Sequence, residues 1–205
     1  MKFSIIIPIH NAADRIHVIL SQIKAQSFKD YEVICVCDSC IDNSAQICDL
    51  YADVMNVKTV NVSFGNDGLT RSRGIDMAKG DWLLFVDDDD EWISNEQLEQ
   101  LSHYLDDDID IVAMSFKWQM SDGTERYCRP LDNSGFLFPN VWSKCFRREF
   151  VGDIRFPNVY SVSDSEFCQM LDKKEPRYRL IDLLFYRYKY REGSISAKEK
   201  WHDQR

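Results

Sequence analysis

The run Gly80-Asp81-Trp82-Leu83-Leu84-Phe85-Val86-Asp87-Asp88-Asp89-Asp90-Glu91 places five acidic residues directly after a short apolar segment. Residues 82–86 have the composition of a buried strand, so the acidic residues stand at its carboxyl end. Carboxylates this close repel one another and raise one another's pKa unless a cation compensates. Because a hard divalent ion bound by carboxylate oxygens is a natural compensator, the run predicts a metal site. A solvated acidic loop is the alternative interpretation.

Upstream of this run, apolar strands alternate with helical segments. The spacing of apolar residues predicts strands at residues 3–9, 31–37, 57–62 and 82–86. It predicts helices at residues 16–23, 42–52 and 66–78, the last of them closed by Gly80 as a C-cap. This alternation predicts an α/β fold with a mainly parallel sheet, helices on both faces, and a ligand crevice at the carboxyl ends of the strands.

Polar residues collect at that edge of the predicted sheet. The first strand ends at Pro8-Ile9-His10-Asn11, the second at Asp38, and the third shortly before Asn66. The acidic run follows the fourth strand. Since parallel strands bring their carboxyl ends together, we expect these residues to line one site.

The second half of the chain follows a different pattern. Ser94 and Gln97 form a capping-box signal for a helix to about residue 103, and a strand is predicted at residues 110–118. Asp122-Gly123 is a tight-turn signal for two antiparallel strands. We predict a short helix at residues 141–146, an amphipathic helix at residues 164–171 and a strand at residues 178–190. No linker or repeat divides the chain, which predicts one domain over residues 1–205.

Composition excludes several classes of protein. Of 205 residues, 44% are hydrophobic, which is enough to bury a core, and the net charge of −9 argues against a nucleic-acid partner. The apolar run Ile5-Ile6-Ile7-Pro8-Ile9 is too short to cross a bilayer, and no secretory signal precedes it, so we expect a cytoplasmic location. The seven cysteines are expected to be free and to pack as small apolar side chains; a metal or redox role for the series from Cys35 to Cys48 is not favoured.

Two common phosphate-binding motifs are missing. The sequence contains neither a G-x-x-x-x-G-K-[ST] loop nor a strand-linked G-x-G-x-x-G, which disfavours kinases and dehydrogenases. Phosphates at an acidic site would need a metal ion and a few placed cations. Arg71 and Arg73 are the candidates, with a surface position on an amphipathic helix as the alternative for both.

Several motifs together resemble the inverting GT-A glycosyltransferases of family 2. Residues 3–11 are similar to that family's opening strand with its Pro-x-aromatic-Asn ending, and residues 31–44 to its second strand and Asp-Gly-Ser-x-Asp turn. Residues 68–90 resemble its Ala-Arg-Asn-x-Gly helix followed by Asp-x-Asp-Asp. Residues 141–148 and 163–167 resemble its acceptor-side segment and its Glu-Asp base motif. The resemblance implies a GT-A fold, Rossmann-like, with a smaller mixed region on the acceptor side.

The resemblance also implies a role for each matching residue. The nucleotide-sugar site would comprise Pro8, Ile9, His10, Asn11, Asp38, Asn66, Arg71, Asp87 and Asp88. Within it, Asp38 would accept a hydrogen bond from the base, Arg71 would support the nucleotide or its diphosphate, and Asp87 would contact the ribose. Asp89 would hold Mn²⁺ or Mg²⁺, and Asp90 would support it. Asp164 would be the catalytic base. Residues 1–118 would bind the donor and residues 119–205 the acceptor.

Four positions depart from the family pattern. Cys37 stands where an Asp is common, Ser39 where Gly is, Ser72 where Asn is, and Ser163 where Glu is. Without the Glu beside it, Asp164 is expected to have a less perturbed pKa. The chain is also short for the family, whose extra C-terminal helices could be supplied by a partner.

The function that follows is transfer of a sugar from a nucleoside-diphosphate sugar, UDP-linked by preference, to an acceptor hydroxyl in surface glycan synthesis. The implied partners are that donor, a glycan or lipid-linked sugar acceptor, and a peripheral membrane contact at the inner face or a protein partner. Two alternatives stay open: a degenerate nucleotide-sugar-binding module, and a nucleotidyltransferase. Smaller hypotheses concern His202 as a metal contact, residues 186–191 as an edge strand or lipid contact, and an aromatic platform or core at Trp118, Tyr127, Phe136, Phe138 and Trp142.

Overall fold

The computed structural model describes residues 1–159 and 162–192, and its strands form one curled sheet. The strands are β1 (Phe3–Ile9), β2 (Tyr31–Asp38), β3 (Val57–Val62), β4 (Trp82–Phe85), β5 (Glu91–Trp92), β6 (Ile111–Gln119), β7 (Glu125–Cys128), β8 (Lys144–Arg147) and β9 (Tyr178–Tyr188). The helices are α1 (Ile16–Lys24), α2 (Ser44–Leu50), α3 (Asp67–Met77), α4 (Gln97–Ser102), α5 (Arg148–Val151) and α6 (Ser163–Asp172). The sheet order is β3-β2-β1-β4-β8-β6-β9-β5, and β7 pairs with β6.

The first half of the sheet is parallel. In register, Ile5 of β1 lies opposite Val33 of β2 and Leu84 of β4. Successive side chains of β1 point to opposite faces of the sheet. Ile5 packs in the hydrophobic cluster that includes α1, whereas Ile6 packs in a second cluster that includes Ile75 of α3. The predicted alternation of strands and helices is therefore confirmed, and the carboxyl ends of β1, β2 and β4 share one edge.

The second half of the sheet is mixed. β8 is antiparallel to both β4 and β6, β6 and β9 run parallel, and β5 is antiparallel to β9. The hairpin predicted at Asp122-Gly123 is confirmed: it joins β6 to β7, and Gly123 adopts a φ of 83°. Since β9 lies between β6 and β5, the interpretation of residues 186–191 as an edge strand is wrong.

The helix predicted at residues 141–146 is also wrong. Lys144–Arg147 forms β8, inserted between β4 and β6. Cys145 packs in the α1 cluster and Phe146 in the opposite cluster, so successive side chains point to opposite faces as a strand requires. A short apolar run does not distinguish helix from strand by composition, and only pairing on both sides selects the strand here.

Gly80 is not the helix C-cap that the sequence predicts. The helix ends at Met77 with Ala78 extended, and Gly80 lies against β1 instead. A Cβ on Gly80 would stand 2.5 Å from the carbonyl carbon of Phe3. The backbone nitrogen of Gly80 donates to Ser4 Oγ (2.8 Å), and that hydroxyl donates to the buried Glu32 (2.8 Å). This contact fixes where the chain enters β4.

All seven cysteines are free, and six of them are buried, which confirms the predicted packing role for those six. Gln97 Oε1 accepts from the backbone nitrogen of Ser94 (2.9 Å), the reach-back half of the predicted capping box. Among residues 1–159 and 162–192, no helix combines the length and the apolar character needed to cross a bilayer.

Replacing Gly80 by Ala should lower the free energy of unfolding by about 3 kcal/mol, because the added Cβ meets backbone atoms that cannot move aside. The matched control is Gly123→Ala, which meets open space and carries only the cost of a positive φ, about 1 kcal/mol. Urea denaturation of both variants measures the difference. Equal losses would show that the contact between Gly80 and β1 is not tight.

Candidate active site

The ends of β1, β2 and β4 are joined by hydrogen bonds among the residues predicted to form the site. The backbone nitrogen of His10 donates to Asp88 Oδ2 (3.2 Å), and His10 Nδ1 lies 2.7 Å from the carbonyl oxygen of Asp38. Asn11 Oδ1 accepts from the backbone nitrogen of Ile41 (2.9 Å). Asn11 and Ser39 both have a positive φ, so the chain turns sharply where each strand ends.

Pro8 and Ile9 belong to β1 itself. Ile9 is buried in the core and Pro8 is half-buried, whereas His10 is exposed. The side chain of Ile9 therefore serves packing, and any contact of Ile9 with a nucleotide would be through its backbone. His10, which the resemblance places in the nucleotide-sugar site, presents its ring to solvent.

Asp38 organises the loop that follows β3. Its two carboxylate oxygens accept from the backbone nitrogens of Phe64 (2.7 Å), Gly65 (3.0 Å) and Asn66 (3.0 Å) and from the hydroxyls of Ser39 (3.0 Å) and Thr70 (2.9 Å). Burial alone would raise the pKa of Asp38, but these hydrogen bonds outweigh it and lower the pKa. These hydrogen bonds take up most of the acceptor capacity of the carboxylate, so in this structure Asp38 organises the loop around the site.

Asn66 begins α3. Its Oδ1 accepts from the backbone nitrogen of Leu69 (2.9 Å) as an N-cap, and its Nδ2 donates to the carbonyl oxygen of Val159 (3.1 Å). Asn66 thus ties the start of α3 to the segment before α6. The structure places it beside the site in a supporting position.

The four aspartates after β4 each have a different partner. Arg71 binds Asp87 (Nη2–Oδ1 2.6 Å), Arg15 binds Asp88 (Nε–Oδ1 3.0 Å) and Arg191 binds Asp89 (Nε–Oδ2 2.5 Å). Asp90 is buried and accepts from the hydroxyl of Tyr186 (2.9 Å) and the backbone nitrogen of Lys189 (2.7 Å).

Burial perturbs this run strongly. Burial, with the neighbouring Asp89, raises the pKa of Asp88 to about 6, although Arg15 opposes the shift. Burial also raises the pKa of Asp87 and of Asp90, and Arg71 opposes the rise at Asp87. The run is therefore not a solvated acidic loop: its like charges are held together at a cost that the arginines offset.

Arg71 is the centre of a second, buried set of contacts. Its guanidinium binds Asp67 (Nη1–Oδ2 2.6 Å) and Asp87, and Nη1 lies 3.8 Å from Asp164 Oδ1. The side chain is 6% exposed, and within the described residues its Nε has no hydrogen-bond partner. Arg71 thus brings together the end of β4 and the start of α6.

Arg73, the other candidate cation, is exposed, which agrees with the alternative of a surface position on an amphipathic helix.

Asp164 lies in the first turn of α6 and accepts from the backbone nitrogen of Val141 (Oδ2, 3.1 Å). Burial raises the pKa of Asp164, and Arg71 opposes the rise. The pKa of Asp164 is therefore perturbed even with Ser163 beside it, because burial by itself disfavours the charged carboxylate. Lys144, which is 1% exposed, donates to the carbonyl oxygens of Phe138 and Asn140 and so holds the loop that supplies Val141.

The carboxylates after β4 are the candidate ligands for a divalent ion. Among the described residues, no three His, Cys, Asp or Glu side chains converge as metal ligands. Mg²⁺ and Mn²⁺ suit carboxylate oxygens, and Mg²⁺ is commonly held by one or two carboxylates together with substrate phosphates and water. Asp89, whose partner Arg191 comes from beyond β9, fits that mode as a single protein ligand. His202, the other metal hypothesis, lies outside the described residues.

Some residues of the site are absent from the sequence prediction. Asp67 stands four residues before Arg71, a helical spacing that could have indicated the ion pair. Arg15 carried no signal, because its partner Asp88 comes from a distant segment. Lys144 lies within the segment 141–148 that the resemblance marked, but its role in holding nearby carbonyl groups was not indicated. Of the aromatic residues, Phe138 and Trp142 are core, with Trp142 stacked on Tyr186 (4.7 Å between centroids), whereas Tyr127 and Phe136 are exposed.

Three comparisons with known proteins bear on this site. The sequence matches the family described as Glycosyl transferase family 2 over residues 4–154, a stretch that includes Arg71 and the acidic run but ends before Asp164. Poly(ribitol-phosphate) beta-N-acetylglucosaminyltransferase TarS of Staphylococcus aureus is 28% identical over 209 residues, covering 94% of this chain and 36% of TarS. The alignments with three curated relatives cover 32–36% of the length of each relative.

Solved structures agree with that match. The crystal structure of S. aureus TarS 1-349 in complex with UDP-GlcNAc superposes with a TM-score of 0.82 at 26% identity, covering 96% of this chain and 61% of that one. The mannosyltransferase PcManGT from Pyrobaculum calidifontis, in complex with GDP-Man and Mn²⁺, has a TM-score of 0.77 at 17% identity, covers 96% and 59%, and shares the fold. The predicted GT-A fold is confirmed.

Replacing Asp38 by Asn should lower the free energy of unfolding at pH 7 by about 3 kcal/mol, because an amide leaves several of the five donors unpaired. Since the folded pKa of Asp38 is depressed, its contribution is present above the unfolded pKa and is lost as pH falls through the folded value. The difference in free energy of unfolding between wild type and Asp38→Asn should therefore shrink below about pH 4.

Asp53→Asn, at an exposed carboxylate, is the control, and denaturation at several pH values measures both variants. A loss that does not depend on pH would contradict the assignment.

Proposed function

The chain belongs to glycosyl transferase family 2, and from that membership we propose that it transfers a sugar from a nucleoside-diphosphate sugar to an acceptor hydroxyl with inversion at the anomeric carbon. The observation that carries the proposal is the pair of acidic groups on either side of Arg71. Asp87 opens the acidic run after β4, and Asp164 lies in the first turn of α6. Displacement at an anomeric carbon needs both a stabilised leaving group and a base on the opposite face.

The donor side comprises the ends of β1, β2 and β4. We assign the exposed ring of His10 and the side chain of Asn11 to the nucleobase, while Asp38 and Asn66 hold the loops around them. Arg71 is assigned to support the nucleotide by holding Asp87 at the end of β4. UDP is the preferred nucleotide, because the similar TarS structure was solved with UDP-GlcNAc.

We assign the metal position to Asp89, with Asp88 and Asp90 shaping its surroundings. A divalent ion bound there would act as a Lewis acid that offsets the charge of the departing nucleoside diphosphate. Asp87, neutralised by Arg71, lies between this position and Asp164 and is assigned to the ribose side of the donor.

Asp164 is assigned as the general base. One of its oxygens accepts from Val141, and the other has Arg71 Nη1 at 3.8 Å, beyond hydrogen-bond distance. That oxygen can take the proton of the acceptor hydroxyl as the hydroxyl oxygen attacks the anomeric carbon and the bond to the nucleoside diphosphate breaks. The raised pKa of Asp164 makes it a stronger base than an exposed aspartate.

The acceptor half is assigned to residues 119–205. The acceptor is proposed to be a surface glycan or a lipid-linked sugar, because the similar TarS carries the name of a poly(ribitol-phosphate) transferase. Nucleoside-diphosphate sugars as donors favour a cytoplasmic site of action, and a membrane surface or a protein partner is proposed to supply further acceptor contacts. A nucleotidyltransferase would release pyrophosphate, and a degenerate module would bind donor without turnover.

Replacing Asp164 by Asn should reduce sugar transfer by about 10²–10⁴-fold, because the amide cannot accept the proton. Donor affinity should change far less than turnover, since Asp164 reaches the donor-side Asp87 only through Arg71. Release of UDP from UDP-GlcNAc and product formation measure turnover, and calorimetry measures affinity. Asp76→Asn on the far turn of α3 is the matched control. Wild-type turnover in Asp164→Asn would refute the base assignment.

Replacing Asp89 by Asn should abolish the Mn²⁺-dependent part of UDP binding, because the amide is a neutral and weaker ligand. Calorimetric titration of UDP with and without Mn²⁺ should show metal-enhanced binding in the wild type and in Asp76→Asn. If Asp89→Asn keeps the full enhancement, the metal is held elsewhere. Release of pyrophosphate from UTP in the presence of a sugar 1-phosphate would support the nucleotidyltransferase, and binding of UDP-GlcNAc without turnover would support the degenerate module.

A further inference from the structure

Asp67 has no part in the assignments above, yet its carboxylate lies between the two functional halves. It is half-exposed, at 38%, at the first position of α3. Its Oδ2 accepts from Arg71 Nη1 (2.6 Å) and from the hydroxyl of Ser163 (3.0 Å), the residue just before Asp164. One carboxylate oxygen therefore contacts both the buried cation and the first residue of α6.

Arg71 Nη1 has two carboxylates within reach. It binds Asp67 at 2.6 Å and leaves Asp164 Oδ1 at 3.8 Å. If Asp67 did not hold Nη1, the same nitrogen could close on Asp164, since the guanidinium has no other described partner on that side. A direct bond would occupy the oxygen of Asp164 and favour its charged, proton-free form, which makes a carboxylate a weaker base.

We propose that Asp67 is a positioning residue for Asp164: by holding Arg71 on its own carboxylate, it keeps an oxygen of Asp164 free to accept a proton. The catalytic consequence rests on the proposed function, whereas the coupling of the two carboxylates does not.

Charge supports the same assignment. Burial raises the pKa of Asp164, Arg71 and Lys144 lower it, and Asp67 raises it. The charged or titratable groups around Asp164 come from every element packed on it: Asp67 and Arg71 from α3, Asp87 after β4, Lys144 from β8, and Cys168 and Asp172 from α6 itself. Removing the charge of Asp67 leaves the two cations less opposed, so the pKa of Asp164 should fall.

The test follows the carboxyl carbon of Asp164 by NMR in protein labelled with ¹³C-aspartate, with the signal assigned by its loss in Asp164→Asn. In Asp67→Asn, the titration midpoint of Asp164 should fall by about one pH unit relative to wild type. Asp67→Glu, which keeps the charge, should restore the midpoint. Asp76→Asn is the matched control, because Asp76 lies on the same helix and pairs with Arg155 (2.7 Å), about 14 Å farther along the axis.

Kinetics test the consequence. The acidic limb of kcat/KM against pH should move to lower pH in Asp67→Asn, with a lower plateau, and should not move in Asp76→Asn. Ser163→Ala removes only the hydroxyl contact and should leave the midpoint of Asp164 within a few tenths of a unit of wild type.

An unchanged midpoint in Asp67→Asn would overturn the proposal, whether or not the protein transfers sugar. A lowered midpoint in a protein that transfers no sugar would support the coupling and refute the proposed function. If Asp67→Asn does not fold, a lowered midpoint in Asp67→Ser supports the proposal and an unchanged one overturns it.

Discussion

A single buried guanidinium constrains how this chain can fold. Arg71 brings a positive charge into the interior, and desolvation of that charge is offset only if carboxylates reach it from nearby segments. The three carboxylates around it come from α3 itself, from the end of β4 and from α6. Helix α3 must therefore lie between the parallel strands and α6, and Gly74, whose added Cβ would stand 2.3 Å from Ile6, allows it to approach β1 that closely.

This arrangement joins the donor and acceptor halves through charge. Asp87, assigned to the donor, and Asp164, assigned as the base, share one cation. A change in the charge of either carboxylate therefore changes the pKa of the other. Asp67 binds Nη1 of Arg71 while Asp87 binds Nη2, and this leaves Asp164 without a direct hydrogen bond to the guanidinium. Two further aspartates after β4 are neutralised separately, Asp88 by Arg15 and Asp89 by Arg191. The acidic run is stable as a compact group because its charges are neutralised by different partners.

The sequence predicts the parallel half of the fold well and the mixed half less well. Strands β1 to β4 stand out as apolar runs between helices, and the polar residues at their ends indicate the site from the sequence alone. β8 does not stand out in this way, since residues 144–147 become a strand only by pairing with β4 and β6. Asp38 shows the same limit: its position at a strand end is readable, but four of its five donors come from residues 26 to 32 positions away.

The central claim is that Arg71 holds its carboxylates together by charge, and the pH dependence of stability in Arg71→Met tests it most directly. With the cation gone, three partly buried carboxylates repel one another without compensation, which should lower the free energy of unfolding by about 3 kcal/mol at pH 8. Protonation removes that penalty, so the loss relative to wild type should become smaller as the pH falls toward about 5.5. A loss of the same size at both pH values would show that Arg71 acts by packing and would contradict the account.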